Sequence, residues 1–381
     1  MDMLFDWTEE QLMLRDTIRK FTKNEVAPRD KWMDENGYDW DLHRKMVDAG
    51  IYAIPIPAEY GGAGFDFLTG IMVIHEVAKG SASAALNLDC FWLVYDILMR
   101  YGTLEQKAKY LPMAREGKRI GFALTESTAG SDATAIRATA APAEGGGWIL
   151  TGEKAWITNM EADYSIIFAK TDPTLGAKGI SAFLVPKDSE GFHVGSHEDK
   201  MGLRGTTTGD LSFDHVYLPP ESLLGKEGQG FQIAMSALDG ARISISAVST
   251  GLAHHAMELA GIYANERIAF KQPISAFEGI QFKFADMSSR IRAMELMIYD
   301  AARMKDQGIR NSLEAAQTKL LCSTWATQIA LEAMQIMGAN GCTKEYHVER
   351  FVRDAKMSEV AEGTTEILKI SIGRGVLAPK K

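Results

Sequence analysis

The chain has 381 residues, 46% of them hydrophobic and 24% charged, with a formal net charge of −9. That length supports two or three domains with their own cores, and the acidic balance lacks the basic footprint that nonspecific nucleic-acid binding needs. The three cysteines, Cys90, Cys322 and Cys342, share no CxxC spacing, so neither a zinc site nor a disulfide framework is indicated and a reduced compartment fits.

The start, MDMLFDWTEEQ, has neither the basic beginning and apolar core of a signal peptide nor the Arg/Ser bias of a transit peptide. No run of 18 apolar residues occurs, and a cytoplasmic location is the expectation. WTEEQLMLRDTIRKFTKNEV reads as a helix, with Thr8 as N-cap and Leu12, Ile18 and Phe21 near helical spacing. APRDKWMDENG interrupts it, LHRKMVDAGI resumes, and IPIPAEYGGAGF is a Pro/Gly loop. Two more helices follow, around Ile71–Ala78 and Ser81–Tyr101. In the second, ALNLDCFWLV sets Asp89 among Leu86, Leu88, Cys90, Phe91, Trp92 and Leu93, where a lone carboxylate must neutralise, find a partner or serve a reaction.

Near residue 120 the texture changes to short β-rich runs: GGGWILTGEKAWITNM, YSIIFAKTD, GISAFLVPKD and GDLSFDHVYLP. From Gly230 helical periodicity returns. Ile280, Phe284, Met287, Ile291 and Met294 form one buried stripe, SLEAAQTKLLCSTWATQIALEAMQIMG forms another long helix, and Met294, Met297, Met304, Met334 and Met337 read as core filling. The fold class is α+β: a helical N-terminal domain (1–119), a β domain (120–228) and a C-terminal helical bundle (229–381).

No GxGxxG, Walker or HExxH motif occurs, and the eight histidines show no metal-ligand spacing. GFALTESTAGSDATAIR offers Thr125, Gly130 and Ser131 in a loop suited to cradling carbonyl or phosphate oxygens. KAWITN sets Trp156 beside Thr158. Alone, each is a turn or a strand.

Six ordered motifs, YGTLEQKAKYLP, LTESTAGSD, KMGLRGTTTGDLSFDHVYLP, NERIAFKQPI, MQIMGANG and FVRDAKMSEVAEGTTEI, together resemble the acyl-CoA dehydrogenase family of flavoproteins across essentially the whole chain. The resemblance implies a helical domain, a β-barrel and a four-helix bundle, with FAD between barrel and bundle. By it, Phe122, Leu124, Thr125, Ser131, Trp156 and Thr158 line the flavin, Thr158 at its N5 edge, and Gly130 belongs to the same loop. Arg267, Phe270, Gln281, Gln335 and Gly338 or Gly341 hold pyrophosphate and adenosine, partly of a neighbouring subunit's FAD, and Thr364 and Glu366 also meet FAD. The implied assembly is a homodimer or homotetramer, and the implied electron acceptor is an electron-transferring flavoprotein. Asp239 and Arg242 match residues near CoA, with a surface i, i+3 ion pair as the plain reading, worth under about 1 kcal/mol.

Removing the α-proton of a thioester needs a carboxylate whose pKa burial brings toward working pH. VAEGTTEI puts Glu362 at the family's base position, beside Gly363. Ala361 stands where an aromatic is common and opens room for a broad or ring-shaped acyl group. Asp89 has three readings: a capped or water-bridged core residue, a recogniser of a polar acyl tail, or a second base. Relatives acting on alicyclic thioesters such as cyclohexene-carbonyl-CoA use such an aspartate, but those performing 1,4-elimination lack the glutamate that this chain keeps. The resulting expectation is α,β-dehydrogenation of a short, branched or alicyclic acyl-CoA. The alternatives are 1,4-dehydrogenation of cyclohex-1-ene-1-carbonyl-CoA, an acyl oxidase, a carrier-protein acyl dehydrogenase and a non-catalytic flavin scaffold.

Overall fold

Thr8 opens the first helix as expected: its hydroxyl accepts from Gln11 N–H while the Gln11 side chain returns to Thr8 N–H, a capping box that starts α1 (Glu9–Phe21). The computed structural model describes residues 7–378. The N-terminal layer continues with α2 (Asp30–Asn36), α3 (Trp40–Asp48), α4 (Phe67–Ala78), α5 (Ala82–Tyr101) and α6 (Leu104–Tyr110). Asp66 caps α4 and Ser81 caps α5, each accepting a backbone N–H three residues on. By length and composition α5 could cross a membrane, yet 83% of its apolar window is buried inside this fold. A chain-wide count of apolar runs misses this helix because Asp89, Asp96 and Arg100 punctuate it.

The middle region contributes β1 (Ile120–Ala123), β2 (Thr139–Pro142), β3 (Trp148–Thr158), β4 (Tyr164–Lys170), β5 (Ile180–Pro186), β6 (Phe192–His197), β7 (Thr208–Leu218) and β8 (Leu223–Leu224). They form one mixed sheet in the order β6-β7-β3-β2-β4-β5-β8, with β1 joining β4 in parallel. Its inward residues, among them Leu150, Ile167, Phe183, Leu211 and Phe213, make a core separate from the main one. Alternating burial along β7 is the period-2 pattern of a sheet with one wet face.

A short hairpin, β9 (Ile268–Ala269) and β10 (Gln272–Pro273), interrupts the C-terminal helices α7 (Gly230–Glu266), α8 (Glu278–Asp306), α9 (Ser312–Ile336), α10 (Val348–Val360) and α11 (Thr365–Leu377). The 37-residue α7 is the hub and packs against α4, α5, α8, α9 and α10. One glycine, Gly251, permits close backbone approach, and a second, Gly240, leaves room for the Lys305 ammonium. A Cβ at Gly251 would stand 2.5 Å from Ala78 Cβ and 2.6 Å from the His75 carbonyl, and one at Gly240 would meet Lys305 Nζ at 2.6 Å. Of the methionine stripe, Met294 and Met337 are fully buried, whereas Met297, Met304 and Met334 are only partly so.

Candidate active site

Between α10 and α11 the chain turns sharply at Ala361, Glu362 and Gly363. Glu362 has φ +57° and Gly363 φ +105°. Left-handed backbone costs an ordinary residue about 1–2 kcal/mol, so this turn must be held from outside, as functional sites commonly are. Two cations hold it. Lys319, fully buried on α9, donates from Nζ to the carbonyls of Gly363 (2.6 Å) and Glu359 (3.0 Å). Arg242 Nε donates to the Glu362 carbonyl at 3.4 Å while Nη1 pairs with Asp239 at 3.0 Å. Asp239 in turn accepts from the Ser312 hydroxyl. The Asp239–Arg242 pair is therefore a brace on the Glu362 turn as well as an i, i+3 contact. Thr364 closes the turn as N-cap of α11, accepting from Ile367 N–H.

Burial raises the Glu362 pKa above the ordinary glutamate value, and the charges of Arg242 and Lys319 oppose the rise. Lys319 is itself lowered to about 8, chiefly by desolvation.

The loop after β1 is held by a buried ion pair. Glu126 and Lys154 pair at 2.7 Å with both side chains out of water. Glu126 also accepts from the Arg137 and Ala138 N–H groups, and Lys154 donates to the Leu124 carbonyl. These contacts fix the 124–138 loop, leaving Gly130 and Ser131 exposed at its tip. In β3 the register against β7 slips between Lys154 and Ile157. Trp156 rides that bulge with φ +60° and is 55% exposed; bulges beside reactive sites re-aim a side chain in this way. Thr158 follows, and its hydroxyl partly offsets the rise that burial gives the Cys90 thiol pKa. Phe122 packs on Phe168 with ring centroids 5.0 Å apart, and Leu124 is buried.

Asp89 is 2% exposed and accepts a short hydrogen bond from Ser244 on α7. It borders a cavity of about 310 Å³ walled by α4 (Gly70, Ile71, Ile74), α5 (Trp92, Leu93), α7 (Ala241) and Lys305 at the end of α8. Its carboxyl is raised well above the usual aspartate value, first by desolvation and then by the negative charge of Glu362. The two carboxyls thus lie in each other's field, and the Cys90 thiol feels both. Sequence alone could not say whether they face one chamber; the helix packing makes them electrostatic neighbours.

The remaining candidates lie elsewhere. Arg267, Phe270 and Gln281 are exposed around the β9–β10 hairpin, Phe270 at 89%. Gln335 and Gly338 are exposed at the end of α9, and Gly341 is buried just beyond. A hydrogen bond from Asn340 to the Tyr263 hydroxyl (3.0 Å) brings the two sets to the same end of α7. Arg242 and Arg267 are 25 residues apart on that helix or at its end, a rise of about 37 Å. This second group is not part of the Glu362 site.

Three family descriptions cover the chain in order: the acyl-CoA dehydrogenase N-terminal domain matches residues 8–118, the middle domain 121–216 and the C-terminal domain 228–377. The short-chain specific acyl-CoA dehydrogenase of Clostridium acetobutylicum is 40% identical over 97% of this chain and 98% of its own length. The chain belongs to the acyl-CoA dehydrogenase family. Among solved structures, the butyryl-CoA dehydrogenase of Megasphaera elsdenii superposes with a TM-score of 0.95 at 36% identity, covering 98% of this chain and 99% of that one. A chain in the structure of the electron transferring flavoprotein of Acidaminococcus fermentans gives 0.96 at 39% identity, with 98% and 100% covered.

As an acyl-CoA dehydrogenase the protein is an oxidoreductase of CH–CH bonds that uses FAD. The flavin loop fits that group: Trp156 offers an aromatic face that the chain leaves uncovered, Thr158 and Thr125 offer hydroxyls, and the tip at Gly130 and Ser131 leaves backbone accessible. Sequence reasoning missed Lys319, Ser244, Lys305 and the Lys154–Glu126 pair. Lys319 had left a signal, since Ala315, Ala316, Cys322, Ser323 and Ala326 put it in the middle of a buried helical stripe.

Proposed function

We propose that the protein removes an α-proton and a β-hydride from a short, branched or alicyclic acyl-CoA, giving the 2-enoyl-CoA, and that electrons pass to an electron-transferring flavoprotein. The observation that carries this reading is the Glu362 turn: a desolvated carboxyl on left-handed backbone, braced by Arg242 and Lys319, in the field of Asp89, which borders a cavity. Bound FAD supplies the hydride acceptor and, through a ribityl hydroxyl, one donor to the thioester oxygen. Glu362 takes the α-proton as general base, and its N–H serves as the other donor. Arg242 and Lys319 favour the charged carboxylate by opposing the rise that burial causes.

The chamber of about 310 Å³ is near the lower end of ligand pockets, about 300–1,000 Å³, which supports a compact acyl group. The C. acetobutylicum and M. elsdenii relatives, named for short-chain and butyryl substrates, point the same way. Ala361 leaves width beside the thioester, with Gly363 and Ser131 on the same approach. The A. fermentans structure supports the choice of electron acceptor. For assembly, the separation of Arg267, Phe270, Gln281, Gln335 and Gly338 from the Glu362 site supports a homo-oligomer in which they meet a second copy's FAD, while Thr364 and Glu366 meet one beside the catalytic turn.

A second reading is favoured by the shared field of the two carboxyls: Asp89 removes a more distant ring proton, giving 1,4-dehydrogenation of cyclohex-1-ene-1-carbonyl-CoA. Burial, and after it the Glu362 charge, raise the Asp89 pKa well above the ordinary aspartate value, a direction that favours its acid form. Anaerobic bleaching of the flavin band with butyryl-, isobutyryl-, octanoyl-, glutaryl-, cyclohexanecarbonyl- and cyclohexene-carbonyl-CoA separates the readings. Wild type, Glu362→Gln and Asp89→Asn are compared. Loss of bleaching by about 10²–10⁴-fold in Glu362→Gln, with Asp89→Asn active on butyryl-CoA, supports the first reading. Selective loss of the cyclohexene substrate in Asp89→Asn supports the second, and no bleaching by any thioester in wild type overturns both.

A further inference from the structure

Away from the flavin and the acyl chamber, α4, α7 and α8 bring together His75, His254 and Glu295, with one ligand-type atom from each residue inside a 4.8 Å span. No sequence spacing announces this set, because 179 residues separate the two histidines (254 − 75). Its interior is unusual in three respects. His75 is 1% exposed and Glu295 7% exposed, so both lie out of water. His75 Nε2 has no hydrogen-bond partner among the described residues and faces Glu295 Oε1 at 4.0 Å, too far for a direct bond. His254 Nδ1 is likewise buried without a partner, and its ring stands 6.5 Å from that of His75. Leaving such atoms unsatisfied costs about 1–3 kcal/mol each, so the arrangement calls for something between them.

The other ring nitrogen of His75 is already committed. Nδ1 lies 2.8 Å from the Tyr299 hydroxyl, and with that oxygen accepting, the proton sits on Nδ1 and the Nε2 lone pair is free. Metal-bound imidazoles are oriented by such a partner on the far nitrogen. Lys79 and Arg292 act on the Glu295 carboxylate through space, but among the described residues neither bonds to it: Lys79 donates to both Glu76 oxygens at 3.1 Å, and Arg19 donates to Glu76 at 3.0 Å.

We propose that His75, His254 and Glu295 form a binding site for a zinc-type divalent cation, with water as the fourth ligand. Two imidazoles and one carboxylate are a recognised zinc donor set, with bonds of about 2.0–2.2 Å. Tetrahedral bonds of that length set ligand atoms roughly 3.4 Å apart, so the 4.8 Å span closes by small side-chain rotations about the ion. The site ties α4 of the N-terminal layer to α7 and α8 of the bundle. It adjoins the acyl chamber without belonging to it, because Ile74 and Ile71 line the chamber and His75 points about 100° around the helix from Ile74. The Gly251 contact that lets α4 approach α7 at the His75 carbonyl is what brings the rings within range.

The test uses the FAD-loaded protein, treated with a chelator, incubated with zinc chloride and passed through a desalting column. Expected are one retained zinc per chain and a rise in Tm, since a ligand that binds only the folded state stabilises it. His254→Ala and Glu295→Gln retain less than a tenth of that zinc, and a His197→Ala/His215→Ala double variant, altered at exposed histidines, retains all of it. Cobalt(II) in place of zinc gives a d–d band beyond the flavin absorption in wild type and none in His254→Ala. Absence of retained zinc in wild type overturns the proposal, as does equal retention in His254→Ala and Glu295→Gln.

Discussion

Replacing Lys319 by methionine removes a charge and two hydrogen bonds while keeping most of the apolar stem. The bonds run to the Gly363 and Glu359 carbonyls at 2.6 and 3.0 Å, on either side of Glu362. Hydrogen bonds to charged groups are worth about 1.5–3 kcal/mol each. Water can reach the half-buried Gly363 side and replace part of the loss, so about one bond's worth is the expected net effect. A loss of about 1.5–3 kcal/mol in holding the base converts to about a 10–150-fold fall in the rate of flavin reduction. The pH profile supplies a sign. Glu362 must be ionised to act, burial raises its pKa, and Lys319 opposes that rise. Removing Lys319 therefore raises the Glu362 pKa further and moves the acid limb of the profile to higher pH. The assay is anaerobic stopped-flow reduction with butyryl-CoA, run below pH 8 because wild-type Lys319 itself titrates near 8. A variant that retains FAD, reduces within about twofold of wild type and shows an unmoved acid limb would refute the assignment of Lys319 as a positioning residue.

Breaking the buried Lys154–Glu126 pair with Lys154→Met leaves an uncompensated carboxylate beside the flavin loop, a change of about 3–5 kcal/mol. The expected outcome is a lower Tm and FAD lost on gel filtration, while Lys154→Met/Glu126→Gln recovers part of both. At the β9–β10 hairpin, Phe270→Asp places a charge on a ring that is 89% exposed in the single chain. If that ring is covered by a second copy, sedimentation shows a smaller assembly with less bound FAD. An unchanged sedimentation coefficient would remove the hairpin from the interface.

Local chemistry was readable wherever it depends on neighbours in sequence. Thr8 is an N-cap because a hydroxyl three residues before a free N–H needs no tertiary help. The strands of the middle region announced themselves by β-branched runs between Gly, Asp and Pro, and the long bundle helices by their stripes. The flavin loop and the base position were legible only as ordered motifs resembling a family. Nothing in the local pattern of Trp156 reveals that a bulge turns it outward, because the bulge exists only in the pairing of β3 with β7.

The sequence by itself determined the three-part α+β order, the Thr8 cap and the presence of a glutamate followed by glycine at 362 and 363. It also posed the question of Asp89, because an acid inside an apolar helix conflicts with its surroundings whatever the fold. Only the tertiary structure decided what answers that conflict: Ser244, 155 residues away, donates to Asp89, while burial and then the nearby Glu362 charge push its pKa up. The same is true of Lys319 under the catalytic turn and of His75, His254 and Glu295. Their meanings depend on distances between helices, and the side-chain packing that sets those distances is a property of the whole folded chain.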